Sequence, residues 1–152
     1  MGTYIHAGGK IGVLIELNCE SDFVARTDDF QELLRDIAMH IAATDPRFVS
    51  RDEVTEADLE REKEVYRAQG AASGKPANII EKMLEGKMSK FYEEVCLLDQ
   101  PFIKEQSLTI GQLIAQKIAK LGENISVRRF ARFKVGAPEW TVAQAKPQEP
   151  SA

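Results

Sequence analysis

Glu16-Leu-Asn-Cys-Glu-Ser-Asp-Phe-Val-Ala25 is the stretch on which the reading of this chain turns. It begins as the end of an apolar strand and becomes acidic and polar. It then sets one large aromatic, Phe23, between Asp22 and Val24, just before an amphipathic helix that starts near Thr27. A bulky apolar residue on a strand-to-helix connection needs a reason, because connections run over the surface. Two readings are open. In the first, Phe23 is a core plug tucked under a sheet, following the general burial of aromatics. In the second, it is a wedge pushed into a partner protein, with Asp22 beside it for a polar contact.

Upstream, residues 3–7 and 10–18 read as two strands around Ala7-Gly-Gly9, whose glycines supply the positive φ of a tight hairpin. Ile11, Val13, Ile15 and Leu17 alternate with Gly12, Leu14, Glu16 and Asn18, which is the pattern of a half-buried antiparallel strand. Downstream, Thr27 is an N-cap candidate followed by Asp28 and Asp29, where the helix dipole favours anions. Phe30, Leu33, Leu34, Ile37, Ala38, Ile41 and Ala42 then mark one helix that ends before Asp45-Pro46. His40 sits at the edge of that stripe and reads as a hydrogen-bonded, partly buried histidine.

Ser50-Arg-Asp-Glu53 and Thr55-Glu-Ala-Asp58 have the form of capping boxes. The charged run from Glu56 to Ser73 predicts a long exposed helix stopped by Gly74, with Pro76 opening the next. A short helix is predicted up to Gly86, with helical spacing resuming at Met88, Phe91, Tyr92 and Val95. This helix-turn-helix pair is too acidic to read DNA. Cys96 to Ile103 is expected to be an extended connection. Thr109-Ile-Gly-Gln112 opens an amphipathic helix that ends at Gly122. In the last strand, Ile125 to Val135, simple alternation puts Val127, Ala131 and Phe133 on one face and Arg128, Phe130 and Arg132 on the other. The fold class expected is α+β: a small antiparallel sheet built from both chain ends, packed with several helices from the middle. Residues 1–137 are expected to form one domain, and 138–152, with Pro138, Pro147 and Pro150, a disordered tail.

The 152-residue length suits one domain with a real core, and 43% hydrophobic with 29% charged residues suits a folded chain. A net charge of −4 argues against direct nucleic-acid binding. The one dense basic run, Arg128, Arg129, Arg132 and Lys134, reads as a solvated or interface face. No apolar run is long enough for a membrane span, and no signal peptide opens the chain. A cytoplasmic protein is expected. Cys19 and Cys96 fit no zinc or CxxC spacing and read as buried thiols. No phosphate loop, nucleophile elbow or paired catalytic set is found. The expectation is therefore a protein that acts by binding, not an enzyme, and without a cofactor or metal.

Four blocks, in order over roughly residues 3–137, resemble the bacterial elongation factor Ts family. Asn18-Cys-Glu-Ser-Asp-Phe-Val-Ala25 resembles its Asn-Cys-Glu-Thr-Asp-Phe-Val-Ala signature, with Ser21 in place of Thr. Tyr4 to Leu14 resembles its strand-hairpin-strand, and Ile37-Ala-Met-His-Ile-Ala42 a helix block. Leu121-Gly-Glu-Asn-Ile125 with Arg128-Arg129 resembles its last helix-to-strand passage. The resemblance implies guanine-nucleotide exchange on elongation factor Tu, in its GDP-bound and nucleotide-free states. The Asp-Phe pair, here Asp22 and Phe23, would insert near the magnesium side of the nucleotide pocket. It implies a partner-binding set of Ser21, Asp22, Phe23, Val24, His6, Leu121 and Gly122. It also implies the short form of the family, a symmetric homodimer. The sequence departs from the family's pattern in that no counterpart of its usual small helical ubiquitin-associated-type domain is found before Thr3, and a core domain is expected. The strand of Phe130 and Phe133 is the expected two-fold interface. The alternative is an interaction or ribosome-associated module of the same fold with little exchange activity.

Overall fold

Two strands from the start of the chain and two from its end make the central sheet. The computed structural model describes residues 1–147. β1 (Gly2–Ile5) and β2 (Ile11–Asn18) form the first hairpin, turning through Gly8 and Gly9 at φ 91° and 71°. A single helical turn, α1 (Asp22–Ala25), leads into α2 (Asp28–Thr44). Two long helices follow, α3 (Glu56–Ala72) and α4 (Ala77–Val95). A short hairpin of β3 (Pro101–Phe102) and β4 (Glu105–Thr109) precedes α5 (Ile110–Leu121). β5 (Ser126–Lys134) and β6 (Thr141–Gln144) complete the sheet in the antiparallel order β1-β2-β5-β6. The architecture is α+β, as expected from the sequence.

The inner face of the sheet carries Val13, Ile15, Leu17, Val127, Phe130 and Ala143. α2 covers it with Phe30, Leu33, Leu34, Ile37 and Ile41, and α5 adds Ile110, Leu113 and Ile114. A smaller cluster of Val54, Leu84, Met88, Phe91, Val95 and Cys96 joins the α3–α4 hairpin to the body. α3 itself buries no residue, in keeping with its thin apolar stripe.

Several expectations are corrected. The last strand does not alternate evenly. Glu16 pairs with Arg129 but Leu17 pairs with Val127, so Arg128 is a bulge that resets the pleat. Phe130 therefore points into the core at 2% exposed, while Phe133 lies outside at 54%. Phe130 is thus unavailable for the interface assigned to it, and β5 is an interior strand. Arg132, read as part of a solvated or interface face, is buried too. It donates from Nε and Nη2 to the Ala42 carbonyl at 3.2 and 3.0 Å, a cation closing the C-terminal turn of α2.

The segment expected to begin a disordered tail at 138 contains β6, paired to β5 with Phe130 opposite Ala143. Pro138 and Pro147 flank this strand and leave its N–H groups free to bond. The remaining tail residues, 148–152, lie outside the described residues. Gly86 does not end a helix, because α4 runs through it. Leu84, Met88, Phe91 and Val95 bury one continuous stripe, which outweighs the roughly 1 kcal/mol that a mid-helix glycine costs. Finally, Cys96 to Ile103 is not merely extended. It contains a 3₁₀ turn at Leu97–Asp99 and the first strand of the β3–β4 hairpin.

His40 is wholly buried, more deeply than its place at the stripe's edge implied. The Ile103 N–H donates to Nδ1 at 3.3 Å, so the proton resides on Nε2, which donates to Gln100 Oε1 at 2.9 Å. Gln100 in turn donates to the Glu94 carbonyl at 2.8 Å. This ring ties the β3–β4 hairpin and the end of α4 to α2. Burial holds the imidazole pKa below its ordinary 6.5, and the bond to Gln100 opposes that shift. The unfolded chain therefore takes up the proton first. Stability is complete above the ordinary value and is lost as pH falls through it, by up to about 1.4 kcal/mol per pH unit. Denaturant unfolding at pH 7.5 and 5.5 should show this loss in the wild type. His40→Gln should be less stable at pH 7.5 and should lack the histidine part of the slope.

Candidate functional site

The corner between β2 and α2 is built by three local devices. Ser21, with extended backbone, caps α1 by accepting from the Val24 N–H at 3.3 Å. Thr27 donates its hydroxyl to the Val24 carbonyl at 2.7 Å and accepts from the Phe30 N–H at 3.2 Å. One residue thus closes α1 and opens α2. Val24 is 7% exposed and belongs to the core, so it pins the turn from below. The chain reverses here within four helical residues, which the strand-to-helix reading did not foresee.

Phe23 is 88% exposed. The core-plug reading is excluded: Val24, its neighbour, fills that place. Asp22 is exposed beside it, and its carboxylate makes no hydrogen bond or ion pair among the described residues. An uncovered aromatic next to an uncommitted carboxylate can offer apolar area and a polar contact to another surface, but it cannot bind a small molecule in a pocket.

A second loop meets this corner. α5 ends at Gly122, whose φ of 75° turns the chain sharply after Leu121. Glu123 then reaches the signature stretch. Its Oε1 accepts from the N–H groups of Glu20 and Ser21 at 3.2 and 2.9 Å, and its Oε2 accepts from the Ser21 hydroxyl at 2.6 Å. Glu20 returns the contact by accepting from the Asn124 N–H at 3.2 Å. α5 is also tied to the start of α2 by Lys117 and Lys120, which donate to Asp29 at 3.1 and 2.9 Å. The bonds from Lys120 and then Lys117 hold the Asp29 carboxyl below the usual range.

The structure therefore brings Ser21, Asp22, Phe23, Val24, Leu121 and Gly122 to one end of the sheet. Val24, expected in the contact set, faces the core and serves as an anchor. His6 stands elsewhere, exposed in the β1–β2 turn with Nδ1 3.1 Å from the Tyr4 hydroxyl. The length of β2, roughly 25 Å at about 3.3 Å per residue, separates it from Ser21. Glu20 and Glu123 were missed as site residues. Their contacts span about a hundred positions, Glu123 lying 102 residues from Ser21, and no local pattern signals them.

Cys19 is half-buried and donates its thiol to the Ser21 carbonyl at 3.2 Å. Both ring nitrogens of His40 are engaged by Gln100 and Ile103, and His6 is at the far end of β2, so neither histidine pairs with this thiol. Cys96 is buried, and that burial raises its thiol pKa to about 12. Among the described residues no three His, Cys, Asp or Glu side chains gather as a metal site, and no helix is long and apolar enough to cross a membrane.

Fold and corner together define a class: an α+β domain that holds one bare aromatic on a braced turn at the end of its sheet. The family model for Elongation factor TS matches residues 1–137. The chain is 69% identical over 144 residues to a protein named Elongation factor Ts from Koribacter versatilis (strain Ellin345), covering 95% of this chain and 66% of that protein. It is 65% identical over 136 residues to Elongation factor Ts of Solibacter usitatus (strain Ellin6076), covering 90% and 64%. It is 59% identical over 136 residues to that of Geobacter sulfurreducens (strain ATCC 51573 / DSM 12127 / PCA), covering 90% and 63%. The chain belongs to the elongation factor Ts family, and it spans just under two thirds of the length of these relatives.

Because Phe23 is 88% exposed, Phe23→Ala should change the unfolding free energy by no more than about 0.5 kcal/mol in urea titration. A plugging phenylalanine would cost about 3–5 kcal/mol on the same substitution.

Proposed function

We propose that this chain is a guanine-nucleotide exchange factor for the translational GTPase elongation factor Tu, and that it acts by binding without making or breaking covalent bonds. The observation that carries the reading is the bare Phe23 beside Asp22 on a hydrogen-bonded corner, within a member of this family. The physical logic is linkage. A protein that binds the nucleotide-free GTPase more tightly than the GDP-bound form must weaken GDP binding by the same factor. Affinity for GDP in such GTPases depends on Mg²⁺ and on backbone donors around the phosphates. An apolar wedge that shifts the elements beside that site loosens both without touching the nucleotide. Phe23 supplies the wedge, Asp22 a polar neighbour that orients it, and Leu121 and Gly122 an adjoining surface. His6 makes a separate contact from the other end of the sheet. Such a factor works in the cytoplasm.

The working form is a homodimer, and the outer face of the sheet supports this. Ile5, Leu14, Phe133, Val135 and Val142 are exposed there, and Trp140 stacks on Phe133 with ring centroids 6.2 Å apart. Contiguous apolar surface of this kind marks an interaction site. A two-fold arrangement covers it with the same face of a second copy.

Release of fluorescent GDP from elongation factor Tu should accelerate in the presence of this chain. Phe23→Ala should lose on the order of ten-fold or more of that acceleration, as for truncation of an aromatic anchor worth at least about 2 kcal/mol. No acceleration by the wild type would refute exchange, and equal acceleration by both would refute the wedge. Light scattering at micromolar concentration should give a dimer for the wild type and a monomer for Phe133→Glu. A monomeric wild type would remove the dimer.

A further inference from the structure

We propose that Glu123 is the positioning residue of the Asp22–Phe23 corner: from the loop after α5, its carboxylate fixes the turn that aims the aromatic. The proposal rests on the wedge reading above and adds the device that makes the wedge rigid.

A four-residue helix cannot hold its own shape, because helix nucleation is unfavourable and few hydrogen bonds are made in return. Phe23, 88% exposed, has too little packing among the described residues to be oriented by it. The direction of its side chain is therefore set by the backbone of α1. That backbone is pinned below by Val24 and closed behind by Thr27. Its leading end relies on Ser21, whose own cap is long at 3.3 Å. Glu123 supplies what this cap lacks. One oxygen takes two successive N–H groups and the other takes the Ser21 hydroxyl at 2.6 Å. These are charge-assisted bonds, stronger than the neutral cap they reinforce. Glu20 answers by accepting from Asn124, so each loop holds the other and neither can swing alone. Both oxygens of Glu123 are occupied within the chain. The residue is thus suited to orient its neighbours rather than to meet the GTPase itself. Rigidity of this kind favours binding by lowering the ordering cost at the moment of contact.

The test needs two readouts and three variants. In Glu123→Gln, Oε1 still accepts from both amides and Nε2 can donate to the Ser21 hydroxyl. In Glu123→Ala these bonds are gone, and in Glu123→Asp the carboxylate is retained but withdrawn by one methylene. The first readout is amide hydrogen exchange of Glu20 and Ser21 in the free protein. The second is GDP release from elongation factor Tu at sub-saturating concentrations of this chain. The alanine and aspartate variants should speed exchange of those two amides and slow GDP release, each by roughly ten-fold, with core amides unchanged. Glu123→Gln, which keeps an acceptor and a donor but loses the charge, should lie between wild type and Glu123→Ala in both. Unchanged Glu20 and Ser21 amides in Glu123→Ala overturn the proposal, as does loss of protection throughout the core, which would make Glu123 a stability residue. If Glu123→Ala does not fold, the contrast between aspartate and glutamine decides alone. Loosened amides with normal GDP release, while Phe23→Ala still abolishes it, overturn the positioning role only. If Phe23→Ala also releases GDP normally, the wedge reading fails and the proposal falls with it.

Discussion

The antiparallel pairing of β2 with β5 is the constraint on which the rest of the molecule depends. It joins residues 11–18 to residues 126–134, so the two ends of the domain meet in the middle of its sheet. Closing a loop of that length costs conformational entropy, though only logarithmically in the number of residues. The return is a ladder of backbone hydrogen bonds and a shared inner face of Ile15, Leu17, Val127 and Phe130. Remove that pairing and α2 has no surface to bury its stripe against. The same pairing delivers the loop after α5 to the end of β2, which is where Glu123 finds Ser21. One ladder thus supplies both the core and the geometry of the corner.

The bulge at Arg128 is what lets this sheet serve two purposes. An unbroken pleat would turn Phe133 and Ala131 inward and leave Phe130 and Arg132 in solvent. Two residues of β5 opposite one step of β2 reverse that choice. Phe130 then completes the core, and Arg132 reaches the last turn of α2. There its guanidinium meets the Ala42 carbonyl and lies 3.5 Å from Asp45, which also accepts from Thr141 of β6. Phe133 is displaced outward, to stand with Leu14 and Val142 on the uncovered face.

Polar groups inside the body are few and fully engaged. His40, Gln100 and Arg132 are the buried ones among the described residues, and each ties an element from one part of the chain to another. The α3–α4 hairpin shows the opposite economy. Most of its ion pairs, such as Arg61–Asp58 and Lys63–Glu60, are exposed neighbours on one helix, Arg67 also reaches Glu81 of α4 at 3.5 Å in the open, and exposed pairs of these kinds contribute little to stability. The hairpin keeps its place through the small cluster around Phe91 and Val95 rather than through its charges.

The sequence alone determined whatever a few adjacent residues can specify. Thr27 and Thr109 as caps, Gly8-Gly9 as a turn, Gly122 as a helix stop and the stripe of α2 are all local bargains between side chain and backbone, legible from spacing. The four ordered blocks made the family legible as well, and the α+β class followed from strands at both ends. Tertiary structure alone decided the rest. The bulge at Arg128 exists because β2 pairs with a distant strand, so alternation within β5 could not disclose which of Phe130 and Phe133 is buried. β6 forms because β5 offers a ladder that Thr141–Gln144 can join, although its flanking prolines read as a tail. Phe23 could be a plug or a bare tip until Val24 was seen to occupy the core beneath it. Burial and long-range hydrogen bonds depend on what the far end of the chain brings alongside, and a one-dimensional pattern does not carry that.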